Sequence, residues 1–499
     1  MRNFSKSKLL ALRQCPKRLW LEIHRPDLRA DNAATQASFQ IGHQVGDIAQ
    51  RIYDPEGQGA LIDVTTAGFA RAFERTTELL GTTQPIFEAG FTAGGALAFA
   101  DVMLPDQVDG KLVWRMVEVK SSTRVKDYHR DDVAVQAFIA QSAGVPLQSI
   151  ALAHIDNSWT YPGNDDYSGL LVEVDLTAEA FARTEEVKSW IEKAQLTSAS
   201  SVEPAIETGA HCDKPYDCGF YDYCSRNDPQ AEFPVYWLPS MRAAKVRELA
   251  AQGVIELADV SDDLLNPKQL RVKTHTLANT VFFDAVGAAA DLAVHSLPAY
   301  FLDFETIQFA VPIWQGTRPY QQNTFQFSLH TLSEAGQLEH TEFLDISGGD
   351  PSEPFVQALV AVCGDSGPVY VYSAAFETSR MSELATRYPH LKAALQAIIE
   401  RAVDLLPIAR ERYYHPSQQG SWSIKKVLPA VVPELRYDAL DGVQDGGGAM
   451  EAFLEAIHPN TQAERKNQIE KQLLAYCKLD TYAMVRLWQV FAGRTELKL

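Results

Sequence analysis

The sequence lacks an apolar run long enough to span a bilayer. Lys6, Lys8, Arg13, Lys17 and Arg18 break up the apolar residues of its first twenty positions. Both features argue against a membrane span or a secretory signal. Cysteine is scarce, six in 499 residues, which excludes a disulfide scaffold and points to a reducing, cytoplasmic setting with free thiols. None of the six forms the C-x-x-C pairs typical of structural zinc. An overall excess of positive charge is also missing. The net charge of −19 argues against a protein that coats polyanions indiscriminately. The acidity is uneven, because the first thirty residues carry eight Lys/Arg against only Glu22 and Asp27. That basic stretch reads either as a solvated helix face or as a local phosphate contact. There is no internal repeat and no long low-complexity tract.

What is present is enough for about three domains and more than one core. A helix is predicted over 5–24, with Leu9, Leu10, Leu12, Leu19 and Leu21 at helical spacing, and a second over 37–53. Strands are predicted at Pro85–Thr92, Ala96–Leu104 and Leu112–Lys120, with turns at Ala93-Gly94-Gly95 and Pro105 to Gly110. A helix follows near 131–143, then strands at 149–155 and 168–175 and a charged helix at 178–195. Residues 229–295 read as short helical pieces broken by Pro and Gly. They suit a plain connector, or a helix–hairpin–helix holding a phosphate. From 298 the pattern resets to three strands, a helix, a strand and then helices, an α/β order. Gly446-Gly447-Gly448 reads as a hinge or loop.

Two polar constellations stand on these elements. In the first, Glu118 and Lys120 alternate with Val119 on one strand and so share a face. Asp101 ends the preceding strand and Gln136 lies on the following helix. Two carboxylates at adjacent strand ends suit a hard divalent cation such as Mg²⁺ or Mn²⁺, and a lysine beside it can orient water or offset developing negative charge. A hairpin with Glu and Lys on its exposed face has the same pattern. These residues resemble the PD-(D/E)XK nucleases, and more closely their RecB-type branch, which includes iron–sulfur nucleases of CRISPR adaptation. The resemblance implies that Asp101 and Glu118 are metal ligands, Lys120 is catalytic and Gln136 supports them. That branch often carries glycine-x-x-x-histidine on an early helix. Here Gly42 is followed by Gly46, and His43 is out of register.

Cys15 and the run Cys212-x5-Cys218-x5-Cys224 bracket this constellation. Four thiols so placed suit an iron–sulfur centre, or zinc held by the three downstream cysteines with His211 or Cys15, or buried free thiols. The segment Arg13-Gln-Cys-Pro-Lys-Arg18-Leu-Trp resembles the N-terminal cysteine helix of the iron–sulfur RecB-type nucleases, which implies a [4Fe–4S] cluster. Cys363 and Cys477 are isolated and read as packing residues.

In the second constellation, Asp303 and Glu305 share a face of an apolar strand. Tyr476 and Asp480, four apart, share a face of a late helix. Glu377 begins a helix between them, and Asp404 is a further carboxylate in reach of the set. Such a group can hold two cations about 4 Å apart, with Tyr476 orienting a water. The order resembles the DEDD exonucleases of the proofreading type with tyrosine in Y-x-x-x-D. The resemblance implies that Asp303, Glu305, Glu377 and Asp480 are metal ligands. Glu377 departs from the aspartate usual at the middle position, with Asp404 as a substitute or second ligand. Phe309, Trp314 and Tyr320 are candidate base-stacking residues.

The stretch from Tyr300 to His330 also resembles an uncharacterised bacterial family that joins a RecB-like half to an exonuclease-like domain. The expected architecture is α/β. A PD-(D/E)XK restriction-endonuclease-like domain with an iron–sulfur staple occupies 1–228, a helical connector 229–295, and an RNase H-like DEDD exonuclease domain 296–499. The implied activity is metal-dependent phosphodiester hydrolysis, on DNA more than RNA, in repair, recombination or defence. The alternatives are a non-catalytic nucleic-acid-binding protein on degenerate folds, and a zinc-stabilised RNA exonuclease with only the C-terminal site active. The sequence has no G-x-x-x-x-G-K-[ST] loop, so any unwinding falls to a separate helicase.

Overall fold

The computed structural model describes residues 2–31 and 33–494. Its chain forms two compact units. The first holds residues up to Pro229 together with Phe309–Tyr320; the second holds Gln230–Gln308 and Gln321 onward. The segment expected as a separate connector therefore clusters with the second unit. It contains helices at Ala243–Ala251 and Pro267–Ala278 with two short 3-10 turns between them, and no tight helical hairpin. Both units are mixed α/β, and among the described residues no helix is long and apolar enough to cross a membrane.

The first unit is built on one sheet. Its strands are β1 (Phe4–Ser5), β2 (Ala60–Leu61), β3 (Ile86–Ala93), β4 (Ala96–Val108), β5 (Lys111–Lys120), β6 (Leu147–Ile155) and β7 (Leu171–Asp175). The order is β2-β3-β4-β5-β6-β7, with β1 on the start of β4. Strands β3, β4 and β5 are antiparallel neighbours, whereas β5 and β6 run parallel. The first hairpin turns at Gly94-Gly95. The second turns at Asp109-Gly110, later than expected, because Pro105 stays in the strand opposite Trp114. Asp109 and Gly110 both have positive φ, as a two-residue turn between twisted strands requires.

Side-chain alternation on β5 decides what each face does. Trp114 and Met116 join the core beneath the helix Asp127–Ser142, and Val117 and Val119 pack on the opposite face with helix Ala33–Tyr53. Glu118 and Lys120 therefore point to the Asp127–Ser142 side. The helix expected over 5–24 is in fact two, α1 (Lys6–Gln14) and α2 (Pro16–His24), with Cys15 extended between them. Pro16 causes the break, since the residue before a proline is driven out of the helical region. The helix Asp127–Ser142, α3 below, is buried continuously from Asp132 to Ala140.

The second unit carries a five-stranded sheet of β8 (Ala299–Ile307), β9 (Asn323–Leu332), β10 (Leu338–Leu344), β11 (Val369–Val371) and β12 (Ala402–Asp404). The order is β10-β9-β8-β11-β12, the first three antiparallel and the last two parallel to β8. The short β12 was not legible as a strand, because its three residues lie between two helices. Tyr300, Leu302 and Phe304 face one core, while Phe301 faces another closed by the long helix Ala463–Phe491. Asp303 and Glu305 share the face of Phe301. Gly446-Gly447-Gly448 is no hinge: Asp445 caps it by accepting from the Gly448 N–H at 2.8 Å, and it opens the helix Gly446–Ile457.

Candidate functional sites

In the first unit all four expected residues meet. Asp101 accepts the Val119 N–H at 2.6 Å, which locks β4 against β5 at the site. Glu118 is fully buried. It receives Lys120 Nζ at 2.5 Å on Oε1 and Gln136 Nε2 at 2.5 Å on Oε2. Three further residues escaped the sequence reading. Asp132, one turn before Gln136 on α3, receives Lys120 Nζ at 2.6 Å and Gln136 Nε2 at 3.3 Å. The i, i+4 spacing of Asp132 and Gln136 was the available signal. Lys6, the first residue of α1, sits on Glu118 Oε1 at 2.7 Å and 3.6 Å from Asp132. Glu88 lies on β3 with φ of 55°, where the pairing with β4 skips past Asp101. The register is the same on both sides of Glu88, so the positive φ is a local departure from extended backbone within an otherwise regular pairing.

The charges are tightly linked. Burial, with Asp101 alongside, pushes Glu118 up to about 7 against the pull of Lys120 and Lys6. Burial also raises Asp101 and Glu88. Asp132 moves the other way, because Lys120 and Lys6 outweigh its burial and hold it below the usual carboxylate range. Burial disfavours a charged Lys120, but the surrounding carboxylates more than offset this and keep it protonated. Asp101, Glu118 and Glu88 offer the hard oxygen donors that Mg²⁺ or Mn²⁺ takes.

The four cysteines also converge. Cys15, Cys212, Cys218 and Cys224 line one cavity with Lys17, Arg18 and His211, and none is in a disulfide. Gln14 donates to the carbonyls of His211 and Tyr216, both at 2.8 Å, and so fastens α1 to the cysteine loop. Burial raises all three downstream thiols, Cys224 up to about 11. Among the described residues no three of the four sulfurs lie mutually within 4.8 Å.

In the second unit, Glu305, Glu377 and Asp480 are buried and Asp303 is partly buried, and among the described residues none of the four is in an ion pair. Burial and the neighbouring carboxylates raise Asp303 well above its usual range. Burial, with Asp480 beside it, pushes Glu305 up to about 8. Glu377 is likewise raised to about 8 by burial, and its Oε2 has no hydrogen-bond partner. Burial raises Asp480 to about 6, opposed by two tyrosine hydroxyls and by Lys425. These carboxylates repel one another in a largely buried site, with Lys425 as the nearby positive charge.

Three positions in this unit differ from expectation. Asp404 is engaged by the backbone. Its carboxylate accepts from the N–H groups of Ser373, Ala374 and Leu406, each at 2.9 Å, so it caps one helix and holds the turn that starts the helix of Glu377. Tyr476 is buried and engages Asp480, and it is joined there by Tyr437, whose hydroxyl donates to Asp480 Oδ1 at 2.5 Å. Tyr437 opens a single 3-10 turn, Tyr437–Ala439, with no signal for its role in the sequence. Cys477 is not remote packing: its Sγ lies 4.0 Å from Asp303 Oδ2, and Asp303, Glu305 and Cys477 bring ligand atoms within 4.8 Å of one another. Phe309, Trp314 and Tyr320 belong to the first unit. Trp314 is buried there, which removes it from stacking, and Tyr320 is partly buried and donates its hydroxyl to the Ser121 carbonyl.

The sequence profile of a family described as a Domain of unknown function (DUF2779) matches residues 300–423. The match takes in Asp303, Glu305, Glu377 and Asp404 and stops short of Tyr476 and Asp480. No curated protein matches the chain.

Proposed function

We propose that this protein is a divalent-metal-dependent nuclease with two sites and a structural [4Fe–4S] centre. The observation that carries this reading is the grouping of partly buried Asp303 with buried Glu305, Glu377 and Asp480, all with raised proton affinities and, among the described residues, no ion pair to offset them. A fold tolerates such a set when cations complete it. The order β10-β9-β8-β11-β12, with three antiparallel and two parallel strands, supports an RNase H-like reading of the second unit. In the first unit, the mixed sheet with Asp101, Glu118 and Lys120 at one face and Gln136 on the covering helix supports the PD-(D/E)XK reading.

In the second site the carboxylates would hold the metal ions, which supply an activated water and stabilise the leaving oxygen. The chain's own contribution is to orient Asp480 through Tyr437 and Tyr476 and to place Lys425 where negative charge gathers. In the first site Lys120 bridges Glu118 and Asp132, a position from which its ammonium can face a phosphate once a cation occupies Glu118. DNA is the favoured substrate, with any duplex opening left to a separate helicase. The four thiols would hold the cluster, and hydrolysis is left to the oxygen-lined sites.

The test is hydrolysis of labelled single- and double-stranded DNA and RNA in Mg²⁺ or Mn²⁺ by anaerobically purified protein. Wild type, Lys120→Ala and Asp303→Asn are compared, so that each loss of activity is assigned to one site. Absence of any metal-dependent cleavage by wild type sinks the reading and leaves a nucleic-acid-binding protein. That second reading draws on the ion pairs that already satisfy Glu118 and Asp132.

A further inference from the structure

Lys6 is the feature of the first site that the chemistry above does not use. Lys120 pairs with two of the site's carboxylates, Glu118 at 2.5 Å and Asp132 at 2.6 Å. Lys6 Nζ nevertheless shares Glu118 Oε1 at 2.7 Å. Two ammonium groups on one carboxylate oxygen repel one another, and both give up hydration to be there. Such crowding is costly in a structural ion pair, where one partner suffices.

The chain also invests in this placement. Strand β1 pairs with β4 through Phe4 opposite Ala96 and Ser5 opposite Leu97, which sets the next residue beside Asp101's strand. Ser5 then caps α1 by accepting the Lys8 N–H, so the helix begins at Lys6. Nine residues on, Gln14 and Cys15 fasten the other end of α1 to the cysteine loop. Lys6 and the four thiols are thus at opposite ends of one short rigid rod, about 13 Å long at 1.5 Å per residue.

We propose that Lys6 is a positioning residue of the first site that binds a phosphodiester oxygen of the substrate. The inference rests on the nuclease reading of that site. Were Glu118 to hold a divalent cation, Lys6 would give up Oε1, and its ammonium, 3.6 Å from Asp132, would remain as a positive charge that a phosphate monoanion can meet. Lys6 then has two opposite effects: it competes with the metal for Glu118 and recruits the phosphate once the metal is bound.

Those opposite signs make the test. Full-length protein carrying Asp303→Asn, to silence the second site, is compared with the same protein carrying Lys6→Met or Lys6→Arg. Mn²⁺ affinity is read by electron paramagnetic resonance. Binding of a phosphorothioate duplex in Ca²⁺ is read across a salt series. Lys6→Met is expected to bind Mn²⁺ several-fold more tightly and the duplex several-fold more weakly. The slope of log affinity against log salt should fall by roughly one unit, the loss of one phosphate contact. Lys6→Arg keeps the charge and is expected to keep the slope. An unchanged slope in Lys6→Met, or weaker Mn²⁺ binding together with a lowered melting temperature, overturns the proposal and marks Lys6 as structural. If the protein with native Lys6 binds no duplex at all, the nuclease reading fails and takes this inference with it. If that protein binds and only the Lys6 effect is absent, the inference alone fails.

Discussion

Tyr437 donates its hydroxyl to Asp480 Oδ1 at 2.5 Å, across 43 residues of sequence. The ring is buried beside Tyr476, and Lys425 lies 5.5 Å from its centre. A hydroxyl that satisfies a buried carboxylate does two jobs: it lowers the cost of the charge and fixes the direction of the free oxygen. Tyr437→Phe keeps the ring and removes only the donor. It should cost about 1.5–3 kcal/mol, the range for hydrogen bonds to charged groups. In thermal unfolding of the metal-free protein this appears as a lower melting temperature, by roughly 2–4 °C per kcal/mol for a unit of this size. A melting temperature equal to wild type would show that the bond contributes nothing net.

Asp404 makes the contrasting case. It came into view as a possible metal ligand, yet its oxygens are spent on three backbone N–H groups. Asp404→Ala is therefore expected to act as a lost cap, destabilising by about 1–2 kcal/mol in urea unfolding. Titration with Mn²⁺ should find the same number of ions bound as in wild type. Loss of a bound ion without loss of stability would return Asp404 to the ligand set.

The difference between these two residues shows what the sequence could and could not reveal. Asp303 with Glu305, Glu118 with Lys120, and Tyr476 with Asp480 each share a face by local periodicity, and periodicity is legible. The longer strands of both sheets were legible for the same reason, whereas the short strands β1, β2 and β12 were not. Asp404 looked like a ligand because an N-capping aspartate and a metal-binding aspartate are the same residue after the same kind of strand. Only the positions of the Ser373 and Ala374 N–H groups separate them. Lys6, Tyr437 and Cys477 were missed because tertiary packing brings each to its site. For Lys6 the charge was noticed, but its destination depends on β1 pairing with β4. The break at Cys15 was readable in retrospect, since Pro16 forbids a continuous helix.

The four cysteines predict a selective dependence. Anaerobic protein should be brown and contain iron, and Cys218→Ser should lose colour and iron together. Because Gln14 and Cys15 join α1 to the cysteine loop, loss of the centre should expose α1 and α2 first. Limited proteolysis followed by mass spectrometry should show early cuts in residues 1–30 and 200–228, while fragments from 321 onward stay protected. Colourless wild-type protein with stoichiometric zinc would replace iron with zinc. Equal early cutting in both units would end the claim that the centre supports one unit alone.

His330 gives a pH prediction independent of any metal. Its ring is buried on β9, bonded through Nδ1 to Thr481 Oγ1 at 2.8 Å, and faced by His340, Tyr482 and Lys478. Burial first, then His340 and Lys478, depress it to about 3, against roughly 6.5 in an unfolded chain. Between those values the unfolded state binds a proton that the folded state refuses. The His330 contribution is therefore fully present above about pH 7 and is lost as pH falls through 6.5, by about 1.4 kcal/mol per unit. Other groups titrate in the same window, so the measurement is a difference. His330→Asn should be destabilising at pH 7.5, because it gives up ring packing. In urea unfolding the gap to wild type should narrow steadily towards pH 5, as wild type pays for its unprotonated imidazole and the variant does not. A gap that stays constant from pH 7.5 to 5 would mean that His330 takes up its proton without leaving the fold.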